Sequence, residues 1–290
     1  MALLSNDAKI KSLWYLLLSA IGVFHAEVLS GSSPDVLYNP FMFALVTPVY
    51  AVHYVLFGHL MGRHQGDTKV LYLFGCLTGM YETFITKVYF SPPWNPGAVG
   101  PGGIAWVELL WIGFTWHAFL SFLIPFRLMQ GLYSPANRGA SKARDLKWFL
   151  VATPLLGGVL GYGFGRSAPE LLLPLVLSFA VLVLLSLAFL WGARRWGFRS
   201  TEQLRLGRRG RAFALGAFVA VYVAYGVLLR PEFLPLGLPL VLVALIYAGL
   251  VLLTRATMRG AEVEEAPAHE GPPDLAAPFR YLLLYFLAFL

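Results

Sequence analysis

The side chains able to do chemistry gather toward the N-terminal end of this chain. His25, Glu27, His53, His59, Glu82, Lys87, Glu108 and His117 fall in four consecutive apolar stretches, and the four stretches that follow hold no ionisable residue in their interiors. A charged side chain in hydrocarbon costs several kcal/mol, so it faces protein or water and marks a candidate site. At 1.5 Å of rise per residue, Glu82 is expected about 12 Å below the outer surface, His53 about 18 Å and His117 about 20 Å. These three sit at neighbouring depths on three different helices and form the expected core of a site.

A carboxylate among imidazoles in a low dielectric can serve as general base or acid. The same three groups, His53, His117 and Glu82, can hold Zn²⁺ or another divalent metal with one position left for water. Glu27, His25 and Glu108 lie higher and are secondary candidates. Lys87, also secondary, lies close enough to the surface to snorkel or to pair with a carboxylate.

Helical phase sorts these groups further. Thr78, Glu82 and Thr86 form a polar stripe at spacings of four. Gly75 and Gly79 beside it let a neighbouring helix come close. Gly113, His117 and Ser121 share a face. Glu108 lies nine residues from His117, roughly 180° away on an α-helix, so the two are not expected to serve one centre.

The elements that position these residues read as membrane spans. The chain has 290 residues, 58% hydrophobic and 13% charged. Its apolar runs are continuous and near the length that crosses a ~30 Å hydrocarbon core, which predicts helices rather than a barrel. The fold class is therefore an all-α polytopic membrane bundle of eight spans. They are expected near 12–30, 41–62, 70–90, 104–126, 148–165, 171–193, 212–229 and 234–254. Almost all of the 22 Lys and Arg then fall on one side, leaving Arg166 and Arg230 in the outer loops and Lys87 in a span. That bias places the N-terminus in the cytoplasm of a multi-pass plasma-membrane protein. It also accounts for the +7 charge without nucleic acid. The first span can alternatively be read as a signal peptide ending near Ala26.

Four segments follow from this layout. Residues 1–126 form a four-helix unit carrying the polar site, and 127–147 a basic cytoplasmic loop. Residues 148–260 form a second, apolar four-helix unit, in which Gly157, Gly161 and Gly165 make a small-residue stripe for packing or a subunit contact. Residues 261–278 read as an acidic, Pro-rich linker. Residues 279–290 are apolar but too short to span, as an interfacial helix or a truncated ninth span. Cys76 is the one cysteine, which excludes an intramolecular disulfide. Trp94, Trp106, Trp111, Trp116 and Tyr89 suit an interfacial aromatic belt.

The stretch Gly79-Met-Tyr-Glu-Thr-Phe-Ile-Thr-Lys87, followed by Phe114-Thr-Trp-His117, resembles the CPBP (Abi) intramembrane protease superfamily. That family carries Glu-Glu-x-x-x-Arg on one helix and Phe-x-x-x-His on a later one. Here Tyr81 stands for the first Glu, Lys87 follows Glu82 by five residues, and Phe114 precedes His117 by three. The resemblance implies intramembrane hydrolysis and carries over only Glu82 and His117. The alternative affiliation is an uncharacterised prokaryotic polytopic family.

Three function classes follow. The first is an intramembrane hydrolase in which Glu82 activates water beside His53 and His117, acting on a lipid or membrane-embedded substrate. The second is a proton- or ion-coupled transporter, since buried Glu and His chains form relays. The third is a non-catalytic subunit of a membrane complex or a homo-oligomer, with haem between His53 and His117 as a variant.

Overall fold

The computed structural model describes residues 5–93, 95–133 and 167–261. Among these residues the chain is helical, with no strand. We number the long helices α1 (Asn6–Val23), α2 (Pro40–Met61), α3 (Thr68–Ile85), α4 (Trp106–Tyr133), α5 (Ala168–Trp196), α6 (Arg208–Leu228) and α7 (Leu238–Gly260). Of these, α2, α4, α5, α6 and α7 are long and apolar enough to cross a membrane. The expected first and third spans are helices of 18 residues each, α1 and α3, with more polar sequences. The expected fifth span, its glycine stripe, most of the basic loop, the linker and the terminal helix lie outside the described residues, as does Trp94.

The chain forms two compact units that interleave in sequence. Of the described residues, the first holds 5–54, 124–133 and 167–206. Here α1 starts at an N-cap, where Ser5 Oγ accepts the Ala8 amide at 3.3 Å. It lies along α5, with the Trp14 ring 5.5 Å from both Phe189 and Phe198. Gly192 makes the close approach possible, because a Cβ there would stand 2.8 Å from Leu13 Cδ1. The Tyr133 and Ser186 hydroxyls, 2.7 Å apart, join α4 to α5. Helix α5 begins with a capping box, Ser167 with Glu170, and ends at Gly197 in the left-handed conformation. Helix α1 runs on into one wide π-turn, Phe24–Val28, which carries His25 and Glu27.

The second unit holds Val55–Leu123 and Gly207–Glu264, with α3 touching α4, α6 and α7. Asp67 caps α3, its Oδ1 accepting the Lys69 amide at 2.7 Å and the Val70 amide at 3.2 Å. Gly75 and Gly79 serve the close crossing expected of them. A Cβ on Gly75 would lie 2.5 Å from the Ala118 carbonyl oxygen, and one on Gly79 would run into the Gly113 carbonyl. Met80, Tyr89, Ile104, Leu109 and Val243 form an apolar cluster on the α7 side of α3. On the α6 side, Tyr81 and Phe84 pack on Tyr222 at ring separations of 4.8 and 5.2 Å.

Candidate functional site

In the first unit, His25 and His53 are both buried and anchored the same way. Each places Nδ1 on the carbonyl one turn back: His25 on Ile21 O at 2.7 Å and His53 on Val49 O at 2.6 Å. A carbonyl only accepts, so Nδ1 carries the proton in the neutral ring and Nε2 bears the lone pair. Glu27 is held by two hydroxyls. Tyr50 donates to Oε1 at 2.8 Å and Ser32 to Oε2 at 2.5 Å. This secondary candidate thus ties the end of α1 to α2 and to the following loop.

In the second unit, Glu82 on α3 is 8% exposed and Glu108 on α4 is 6% exposed. The Thr78 and Thr86 hydroxyls beside Glu82 are turned onto their own helix, toward Phe74 O at 3.0 Å and Glu82 O at 2.9 Å. Glu108 Oε2 is buried with no hydrogen-bond partner among the described residues. His117 is half-buried and shares a 2.7 Å hydrogen bond, through Nδ1, with Ser121 Oγ.

The expected opposition of Glu108 and His117 does not hold, because α4 is not an α-helix between them. Leu109–His117 and Phe119–Leu123 run with the wide π pattern of hydrogen bonds. An i→i+5 ladder advances by about 80–88° per residue, so nine residues return to within roughly a quarter turn of the start. The burial pattern records the same period. Val107, Trp111, Thr115 and Phe119 are exposed, while Leu109, Gly113, Ala118 and Phe122 are buried. A stripe at strict spacings of four would drift by about 120° over three steps on an α-helix, at 100° per residue. Glu108 and His117 therefore lie along one side of α4, flanking the buried face that meets α3 at Gly75 and Gly79.

Lys87 departs from the expectation of snorkelling. It is 0% exposed, and Nζ donates to the carbonyls of Ile85 (3.0 Å), Gly226 (2.6 Å) and Leu229 (3.1 Å). The last two belong to the C-terminal end of α6, where carbonyls lack intrahelical donors and a cation is favoured. Arg230 repeats the device, donating to Thr86 O at 3.1 Å and Ser91 O at 3.2 Å. Nothing in the spacing marked Tyr50 or Ser32, and Arg230 stood out only by its place. Arg230 had a signal, since it is a basic residue stranded in an outer loop.

Among the described residues, no three His, Cys, Asp or Glu side chains are placed to hold a metal ion. Of the three residues expected to form a metal centre, His53 lies in the first unit and Glu82 and His117 in the second.

Apolar helices of membrane-crossing length, with buried carboxylates and imidazoles between them, define a polytopic α-helical membrane protein. The chain belongs to a family described as an uncharacterized membrane protein family, whose model matches residues 16–288. It is also similar to an uncharacterized protein of Archaeoglobus fulgidus, 34% identical over 135 residues. That match covers 47% of this chain and 43% of the relative, so the chain spans less than half of the relative's length. No solved structure matches. Neither comparison shows kinship with the intramembrane protease superfamily.

Proposed function

We propose that this protein is a proton- or ion-coupled carrier whose proton-handling groups are Glu108, His117 and Glu82. The observation that supports this reading is the π-ladder of α4. It sets Glu108 and His117 along one side of a helix that touches α3, the helix bearing Glu82. Protonatable groups at successive depths on two touching helices are the arrangement a relay requires. Irregular hydrogen bonding inside a span is also common where a helix serves function rather than packing alone.

The test is reconstitution into liposomes enclosing a pH-sensitive dye. An imposed proton gradient should collapse faster with the wild-type protein than with empty vesicles. Glu82→Gln and His117→Ala should slow it at least tenfold while leaving the elution profile of the purified protein unchanged. Equal leak from wild type, variants and empty vesicles would remove the carrier reading.

A further inference from the structure

One face of α5 is an exposed apolar track that ends in positive charge, and nothing in the proposed carrier function uses it. Leu173, Leu177, Leu184, Leu187 and Trp191 are exposed at spacings of four, seven, three and four. At 100° per residue they fall within about 40° of one another's mean direction and make a single stripe. The opposite face carries Leu182, Ser186 and Phe189, all buried in the first unit. The exposed stripe is about 27 Å long at 1.5 Å per residue, close to the apolar thickness of a bilayer.

The stripe ends in positive charge. Arg194 and Arg195 follow Trp191 by three and four residues, so they continue the same face, and both are exposed. Arg199 is exposed just beyond the Gly197 cap. Arg205 is paired with Glu202 at 3.8 Å, whereas Arg194, Arg195 and Arg199 have no carboxylate partner among the described residues. Trp191 and Trp196 lie against each other, with ring centroids 5.6 Å apart. Tryptophan favours the headgroup level of a bilayer. Two of them beside the arginines place the guanidinium groups at phosphate depth. Guanidinium binds phosphate oxygens in a planar, two-pronged way that suits a lipid phosphodiester.

The geometry points to a binding site for an anionic phospholipid on α5. The acyl chains lie along the half of the stripe nearest the arginines, at Leu184, Leu187 and Trp191, because one leaflet fills only about half of a ~30 Å hydrocarbon core, and the phosphate is held by Arg194, Arg195 and Arg199. The partner is a lipid rather than a free phosphate, because the charged cluster is continuous with an apolar track of membrane length.

The experiment uses the full chain in detergent, titrated separately with phosphatidylglycerol, phosphatidylcholine and glycerol phosphate, and read by retained lipid in native mass spectrometry. Phosphatidylglycerol should be retained at least tenfold over phosphatidylcholine, and glycerol phosphate should not displace it. Changing Arg194, Arg195 and Arg199 to Gln should lower retention by about fivefold per residue, as a basic residue near an anionic surface predicts. Leu187→Ser should lower it while leaving the arginines in place. Equal retention of the two lipids by the wild type, or undiminished phosphatidylglycerol in the triple variant, overturns the site. Displacement by glycerol phosphate overturns its lipid character and leaves a bare anion site. Accessibility of a cysteine introduced in the 206–207 turn reports whether the triple variant keeps its orientation, since native Cys76 is buried.

Discussion

Replacing Lys87 by Met removes a buried cation while keeping much of the side chain's length and apolar stem. Lys87 Nζ donates three hydrogen bonds, to Ile85, Gly226 and Leu229. In the variant these carbonyls lose a charged donor in a site that water does not reach. Leaving a buried acceptor unsatisfied costs about 1–3 kcal/mol. Two of the three sit at the end of α6, where no intrahelical donor replaces the lost one. Against this stands the relief of desolvating an ammonium group, itself several kcal/mol. Three acceptors at about 2 kcal/mol each, less a relief of about 3 kcal/mol, leave a net loss of about 3 kcal/mol, or roughly 6–12 °C in the thermal midpoint at about 2–4 °C per kcal/mol.

The backbone supplies an internal control. Lys87 has φ 59°, the left-handed region that glycine adopts freely. Lys87→Gly and Lys87→Ala both remove the cation, but only Gly relieves the backbone. The Gly variant should therefore be more stable than the Ala variant by about 1 kcal/mol. The assay is thermal unfolding of purified protein in detergent, followed by tryptophan fluorescence. A Met variant that melts within about 1 °C of wild type would refute the claim that this cation ties α6 to the end of α3.

Other contacts of the fold carry consequences of similar size. Gly79→Ala pushes a Cβ into the Gly113 carbonyl and should cost about 1–3 kcal/mol through forced separation of α3 and α4, read as a lowered midpoint. Tyr50→Phe deletes a 2.8 Å hydrogen bond to Glu27 and should cost about 1.5–3 kcal/mol, a penalty that shrinks when Glu27→Gln is already present; additive losses in that double-mutant cycle would mean the pair does not interact. Glu170→Ala removes the carboxylate that accepts the Ser167 amide at 2.9 Å at the start of α5 and should cost about 1 kcal/mol in the same melt.

Much of the architecture was legible from hydropathy alone. Continuous apolar runs located α2, α4, α5, α6 and α7, because a helix that crosses a membrane must be apolar over its whole length whatever its neighbours are. Spacing within α3 also marked Gly75 and Gly79 as a place of close approach, since a missing Cβ is a local property. Site residues were legible only as types. His53, Glu82, Glu108 and His117 stood out because their burial is costly wherever it happens.

What spacing could not carry was the direction in which those residues point. Placing Glu108 opposite His117 assumed 100° per residue, and the π-ladder of Leu109–Leu123 brings them to one side. A hydrogen-bond pattern is chosen by packing: α4 must meet α3 at Gly113 and Ala118, five residues apart, opposite Gly79 and Gly75, four apart. Pro125 adds to this, because its ring collides with the carbonyl four residues earlier in a tight α-turn and a wider turn relieves that collision. Lys87 is a similar case. The sequence on its own established that a cation lies near the end of α3. Only the fold brought the carbonyl end of α6, some 140 residues away in the chain, within 2.6 Å of it, because such a contact depends on chain topology and not on any local spacing.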